Sequence, residues 1–282
     1  MGKNETTVLK VLFDAGIHGH SHFAVAAVRE DKVNWGGTKQ TIEIQGVAKK
    51  PLHKNREFQK QLDALFTVGR LIREGRISPY IYPEITWELM RTGRSMGCDA
   101  LHDCKCVHIS AAIERSKFMS TIEFREWISK GGKKDRKKGR GDERINQIGF
   151  LTFLCSLTPA KVDVILAHRD QLQLSDFECK SLQETSWFQH MCQRSQSSEN
   201  YPDVFHLWTA ERNGLDAFLT LDSGLASLVQ RVRSERKCAI TIKTDVILPL
   251  ELLRRFGIDE PDPVPLEVNR FYHIFELPQY SG

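Results

Sequence analysis

Residues 203–222 read DVFHLWTAERNGLDAFLTLD. The first part, to Asn213, carries a helical pattern. Gly214 marks a turn, and LDAFLTL (215–221) is a short apolar run of strand type. One helix–strand unit therefore has an acid at each end: Asp203 opens the helix and Asp222 follows the strand.

The same alternation extends outward. Downstream, SGLASLVQRVR (223–233) reads as helix, CAITIKT (238–244) as strand, and TDVILPLELLRRF (244–256) as helix beyond Pro249. Upstream, VLKVLF (8–13) is a buried strand followed by Asp14. EFQKQLDALFTVGRLIR (57–73) sets Phe58, Leu62, Leu65, Phe66 and Ile72 at helical spacing. The strand ISPYIY (77–82) leads through Pro83 into EITWELMR, where a proline at the helix start costs no hydrogen bond. KCVHIS (105–110) alternates like a strand and runs into the helical AAIERSKF, and helical patterns fill Ile145 to about Gln193. Strands separated by helices predict an α/β fold on a parallel sheet with right-handed crossovers.

A chain of 282 residues is long enough for one large domain, or for one domain with sizeable insertions. Hydrophobic residues at 40% and charged residues at 27% are an ordinary water-soluble balance. No apolar run reaches the roughly 18 residues of a membrane span, and the polar start reads as no secretory signal. The expectation is a cytoplasmic protein with no membrane partner. Seven cysteines, an odd number, fit reduced thiols better than a disulfide framework.

In open parallel sheets, ligands bind beyond the carboxyl ends of the strands. Asp14 and Asp222 end strands, Asp203 opens a helix, and Glu88 sits on the helix after a strand. Each has an ordinary alternative. Asp203 and Asp222 suit helix N-caps, and Glu88 suits a solvated helix face. Nothing local makes the four meet.

The stretch 203–222 resembles the C-terminal signature of PIN domains: an Asp, a helix with small residues, a Gly turn, a hydrophobic strand, then Thr-x-Asp. Here these are Asp203, Ala210, Gly214, the strand at 216–221, Thr220 and Asp222. The strand ending in Asp14 resembles the family's first acidic motif, ITWELMR its second, and CVHISAAIERSKF its middle strand and helix. The resemblance implies a PIN-like three-layer α/β/α fold with a central parallel sheet. Residues 1–282 would form a single domain, with an insertion at 31–76 and a helical insertion at 119–200 that carries a basic loop at 130–144. It implies that Asp14, Glu88, Asp203 and Asp222 hold Mg²⁺ or Mn²⁺ and are catalytic. Thr220 shares a strand face with Asp222, two residues on, and either points its hydroxyl at the site or is an ordinary strand residue. His206, one turn after Asp203 on the same helix face, either reaches the substrate phosphate or packs. The implied activity is metal-dependent phosphodiester hydrolysis, with RNA favoured over DNA. An inhibitory partner protein of the toxin–antitoxin kind is a further expectation. Carboxylates and water are the ligands such hard cations take.

Other stretches carry chemistry of their own. KGGKKDRKKGRGDER (130–144) holds eight Lys/Arg and no apolar residue, and Lys133, Lys134, Lys137 and Lys138 suit a phosphate backbone. A solvated connector is the plain alternative. His18, His20 and His22 resemble the His-x-His ligands of zinc hydrolases, which offers a third function beside a nuclease and a catalytically silent RNA- or protein-binding module. Cys98, His102, Cys104, Cys106 and His108 have zinc-ligand chemistry. On a strand, however, Cys104 and Cys106 would lie ~6.6 Å apart, too far for two thiolates each ~2.3 Å from one zinc.

Overall fold

The computed structural model describes residues 8–93, 99–118, 142–235, 240–268 and 270–273. At its centre are five parallel strands: β1 (Leu9–Phe13), β4 (Ile77–Ile81), β5 (Val107–His108), β6 (Ala217–Leu219) and β7 (Asp245–Ile247). Their order is β5-β4-β1-β6-β7. Val11 on the central strand faces Pro79 on one side and Ala217 on the other.

Side chains alternate across the sheet, as a period of two requires. Val11, Phe13, Ala217, Leu219 and Ile247 enter a cluster with Leu65, Val68 and Leu71 of α2 (Arg56–Arg73) and Leu252 and Leu253 of α11 (Pro249–Arg255). Leu12, Phe218 and Val246 enter the larger cluster on the opposite face. There lie α3 (Pro83–Arg91), α5 (Asp142–Cys155), α6 (Pro159–Ala167), α7 (Asp176–Gln183), α8 (Thr185–Arg194), α9 (Tyr201–Arg212) and α10 (Ser223–Ser234). The arrangement is a mixed α/β architecture consistent with three layers, α/β/α. Two short helices, α1 (Ala15–His20) and α4 (Arg115–Phe118), complete the set among the described residues.

The helical region at 142–194 shares its core with the sheet. Phe150 and Phe188 pack on Phe205 of α9, and Phe188 stacks on the fully buried Trp208 at 5.2 Å. These helices therefore fold as one body with the sheet, held by the large aromatic burial.

Several boundaries differ from the sequence reading. CAITIKT is not a strand over its described part: residues 240–244 are irregular, and β7 begins at Asp245. KCVHIS contributes only Val107–His108 to the sheet. Asp142, Glu143 and Arg144, read as loop, are the first residues of α5. The rest of the basic run, with Lys133, Lys134, Lys137 and Lys138, lies outside the described residues.

The stretch after α1 holds a feature that helix and strand patterning had not suggested. β2 (Ala24–Trp35) and β3 (Thr38–Lys49) form a twelve-residue antiparallel ribbon, closed by Gly36 and Gly37 at φ 59° and 82°. Two positive φ values in a two-residue loop call for glycine and match the twist of the ribbon. β8 (Phe271–Tyr272) pairs at its root, and a Cβ at Gly46 would fall 2.4 Å from the Phe271 ring and the Tyr272 carbonyl oxygen. Among the described residues no single helix is long and apolar enough to cross a membrane.

Candidate metal centre

From β1 the chain crosses to β4 on one side, while β6 lies on the other. The crevice at the carboxyl ends of β1 and β6 is thus a topological switch point, where open parallel sheets place ligands. Asp14 is the residue after β1 and accepts a hydrogen bond on Oδ2 from Thr220 Oγ1 at 2.9 Å. Thr220 follows β6, is buried, and its Oγ1 also accepts the Asp222 amide at 3.1 Å. One hydroxyl therefore ties together the two strand ends.

Glu88 reaches the same place from α3. Its helix starts sharply because Pro83 occupies the first position after Tyr82, and Glu88 lies one and a half turns in. The Glu88 carboxylate accepts from Gln147 Nε2 at 2.8 Å and lies 3.3 Å from His206 Nε2. The ligand atoms of Asp14, Glu88 and His206 fall within 4.8 Å of one another, the group of metal-ligating type found among the described residues.

Asp203 is in the first turn of α9 and senses Asp14, Asp222 and Glu88 electrostatically. Asp222 is at the rim: it is exposed, and its Oδ1 caps α10 by accepting the Gly224 amide at 2.7 Å. Asp203 and Asp222 together line a cavity of about 340 Å³ that also holds Asn200, Ser195 and Arg231. The fold thus brings all four sequence-selected acids to one locality, with Asp14 and Glu88 inside and Asp222 outermost.

The electrostatics follow from this crowding. Burial, reinforced by Asp14 and outweighing the pull of His206, pushes the Asp203 carboxyl up to about 7. Burial likewise raises the Asp14 carboxyl; His206 and the Thr220 hydrogen bond pull it down and Glu88 raises it further. Burial opposes charge on His206, but Glu88 and then Asp14 and Asp203 prevail and hold its imidazolium up to about 9. With both ring nitrogens protonated, Nδ1 donates to the Tyr82 hydroxyl at 2.6 Å while Nε2 faces Glu88. His206 is fully buried, so it is an internal countercharge for the acids and does not reach solvent.

Three supporting features were missed from sequence. Tyr82 was read only as a strand residue, and Gln147 had no signal beyond a helical pattern. Gly16 and Gly224 sit against the acids: a Cβ would lie 3.1 Å from Asp14 Oδ2 and 3.0 Å from Asp222 Oδ1. The Asp-x-Gly spacing at 14–16 and 222–224 is the sequence signal for these contacts. Behind α3, Arg115 donates to both Glu84 oxygens at 3.0 and 3.4 Å in a buried pair and stacks over Trp87.

No protein-family model matches the chain, and neither a curated protein nor a solved structure matches it.

The histidines after β1 do not gather into one ligand set. His18 is buried beside Phe13, burial pushes its imidazole down to about 4, and neither ring nitrogen has a hydrogen-bond partner. His20 and His22 line a separate cavity. Cys104 donates to the Gly69 carbonyl oxygen at 3.9 Å, and burial pushes the Cys106 thiol up to about 11, as suits protonated side chains. His102 pairs with Asp103, and Cys98 lies outside the described residues.

Proposed function

We propose that this chain is a divalent-metal-dependent nuclease that cuts phosphodiester bonds, with RNA preferred over DNA. The observation that carries the reading is the cluster of Asp14, Glu88, Asp203 and Asp222 at the switch point between β1 and β6. Carboxylates crowded into a partly buried crevice repel one another, and His206 supplies at most one compensating charge. That excess of negative charge suits a hard cation. The order and context of these acids also resemble PIN domains, and this resemblance supplies the PIN-like assignment, the substrate class and the RNA preference.

Asp14, Glu88 and Asp203 would hold Mg²⁺ or Mn²⁺, with Asp222 at the rim. A bound divalent ion supplies Lewis acidity and a water of lowered pKa. The chain's own residues hold the carboxylates in place. Thr220 fixes the Asp14 rotamer through its 2.9 Å hydrogen bond, and Gln147 and His206 together orient Glu88. Arg231, in the cavity beside Asp203 and Asp222, suits a phosphate next to the scissile bond.

The test is cleavage of mixed single-stranded RNA and DNA with Mg²⁺ or Mn²⁺. Asp14→Asn and Asp203→Asn keep side-chain shape and remove charge, so each should abolish cutting in a folded protein. Full cleavage by either variant, or cleavage that survives EDTA, overturns the assignment. Metal-independent RNA binding with no cutting by the parent would support the silent binding module instead.

A further inference from the structure

A second cavity, of about 550 Å³, lies at the far end of α1 from Asp14, between the root of the β2–β3 ribbon and the first half of α2. α1 has six residues, so some ~9 Å of helix separates the two places. α2 leads from the ribbon to the start of β4 and therefore runs antiparallel to the strands. Its beginning, and with it this cavity, belongs to the same carboxyl edge of the sheet as the acids.

The lining is divided by chemistry. The floor is aromatic and aliphatic: Phe23 and Phe66 meet edge to face at 5.9 Å, with Leu62 beside them. The rim carries Lys49, Lys50 and Lys54 with His20 and His53. Among the described residues no carboxylate pairs with any of the three lysines. The one acid in the lining, Asp63, already accepts from Gln59 Nε2 at 2.7 Å. The first turn of α2 is closed to an anion, because Asn55 Oδ1 takes the Glu57 and Phe58 amides. The shorter contact of His53 Nδ1 is as acceptor from the Asn55 amide at 3.1 Å, which leaves Nε2–H as its donor.

An apolar aromatic floor below a cationic rim selects a ligand with a flat ring at one end and an anionic group at the other. The volume is within the range of small-molecule sites, roughly 300–1,000 Å³. We propose that this cavity is a binding site for a phosphorylated nucleoside, its base on Phe23 and Phe66 and its phosphate among Lys49, Lys50 and Lys54. The ligand is either a free mononucleotide or one unpaired nucleotide of a strand. The site is independent of the metal centre and stands without it.

The experiment is calorimetry on the full chain in EDTA, which removes any contribution from cleavage. Adenosine monophosphate should bind saturably, and more tightly than adenosine or inorganic phosphate alone. Lys50→Glu with Lys54→Glu reverses the charge at the half-buried Lys50 and the exposed Lys54 and should weaken that binding at least tenfold, with an unchanged circular dichroism spectrum. Asp222→Asn should leave it unaltered, which separates this site from the nuclease reading. A 5′-phosphorylated hexanucleotide distinguishes the sources. An equal loss in the double variant identifies a nucleotide within a strand, and a loss confined to adenosine monophosphate identifies a free one. No saturable binding at millimolar concentration overturns the proposal. Binding untouched by the charge reversal, or phosphate alone binding as tightly as the nucleotide, overturns it too.

Discussion

Replacing Asp203 by Asn should make the metal-free protein more stable at pH 8, and the gain should shrink toward pH 4. The Asp203 carboxyl is raised from 3.8 to about 7, chiefly by burial and then by Asp14. A raised carboxyl binds its proton more tightly when folded. The stability it contributes is complete below pH 3.8 and is lost as pH rises through about 7. The shift is roughly 3 units, and at ~1.36 kcal/mol per unit this is at most about 4 kcal/mol. Asp203 is partly exposed, so solvent screens part of this, and about 1–3 kcal/mol is the expected gain on removing the charge. Against it stands the loss of a carboxylate from the first turn of α9, worth ~0.3–1 kcal/mol, so the net sign remains stabilising. His206 is raised too, to about 9, by Glu88, Asp14 and Asp203, so the parent should decline further between pH 6.5 and 9 and the variant, which lacks the Asp203 charge, should decline less over that range. The assay is urea unfolding in EDTA at pH 4, 6 and 8. Added Mn²⁺ should reverse the ranking, because the parent gains by linkage, about 2.7 kcal/mol at a hundredfold excess over Kd, and the variant gains less. An Asn variant equal to or less stable than the parent at pH 8 without metal would refute the reasoning.

Three further outcomes follow from particular contacts. Gly16→Ala puts a Cβ 3.1 Å from Asp14 Oδ2 while improving helix propensity; metal-free stability should hold or rise by up to ~1 kcal/mol while Mn²⁺ affinity falls about tenfold, and an unchanged affinity in titration calorimetry would show that the carboxylate yields freely. Arg115→Met strands the buried Glu84 carboxylate and should cost ~3–5 kcal/mol in urea unfolding, whereas Glu84→Gln with Arg115→Met should cost much less; equal costs would mean the charge pairing is not the determinant. Thr220→Val keeps the branched shape but removes the hydroxyl that donates to Asp14 and accepts from the Asp222 amide. It should lower cleavage at limiting metal more than at saturating metal, and equal losses under both conditions would deny Thr220 a role in holding the site.

Much of the architecture was legible because it rests on local rules. β1, α2, β4 and α3 lie where the apolar periodicity and Pro83 put them, within a residue or so. The ribbon at 24–49 was not legible from its faces: both sides are largely exposed, with Val28 and Trp35 open to solvent, so no strict polar–apolar alternation marks it. Only the Gly36–Gly37 turn carried a local signal. CAITIKT alternates like a strand yet stays irregular where described, because the sheet edge is taken by Asp245–Ile247, aligned with Ala217–Leu219 of β6.

By itself the sequence determined the first and fourth strands with the helices α2 and α3, the parallel class of the central sheet, and the placing of acids at strand ends and helix starts, since each of these depends on neighbours within a few residues. Only the tertiary structure decided that Asp14 and Glu88 meet at His206 and that Asp203 and Asp222 line a cavity within electrostatic reach of them, because strand order is set by packing between segments up to two hundred residues apart. It also decided the role of His206. One turn from Asp203 on the same helix face, it reads equally as a group that reaches the substrate phosphate or as a packed side chain. Burial against Tyr82 and Glu88 made it the internal cation of the cluster, since a charge removed from water persists only where carboxylates surround it.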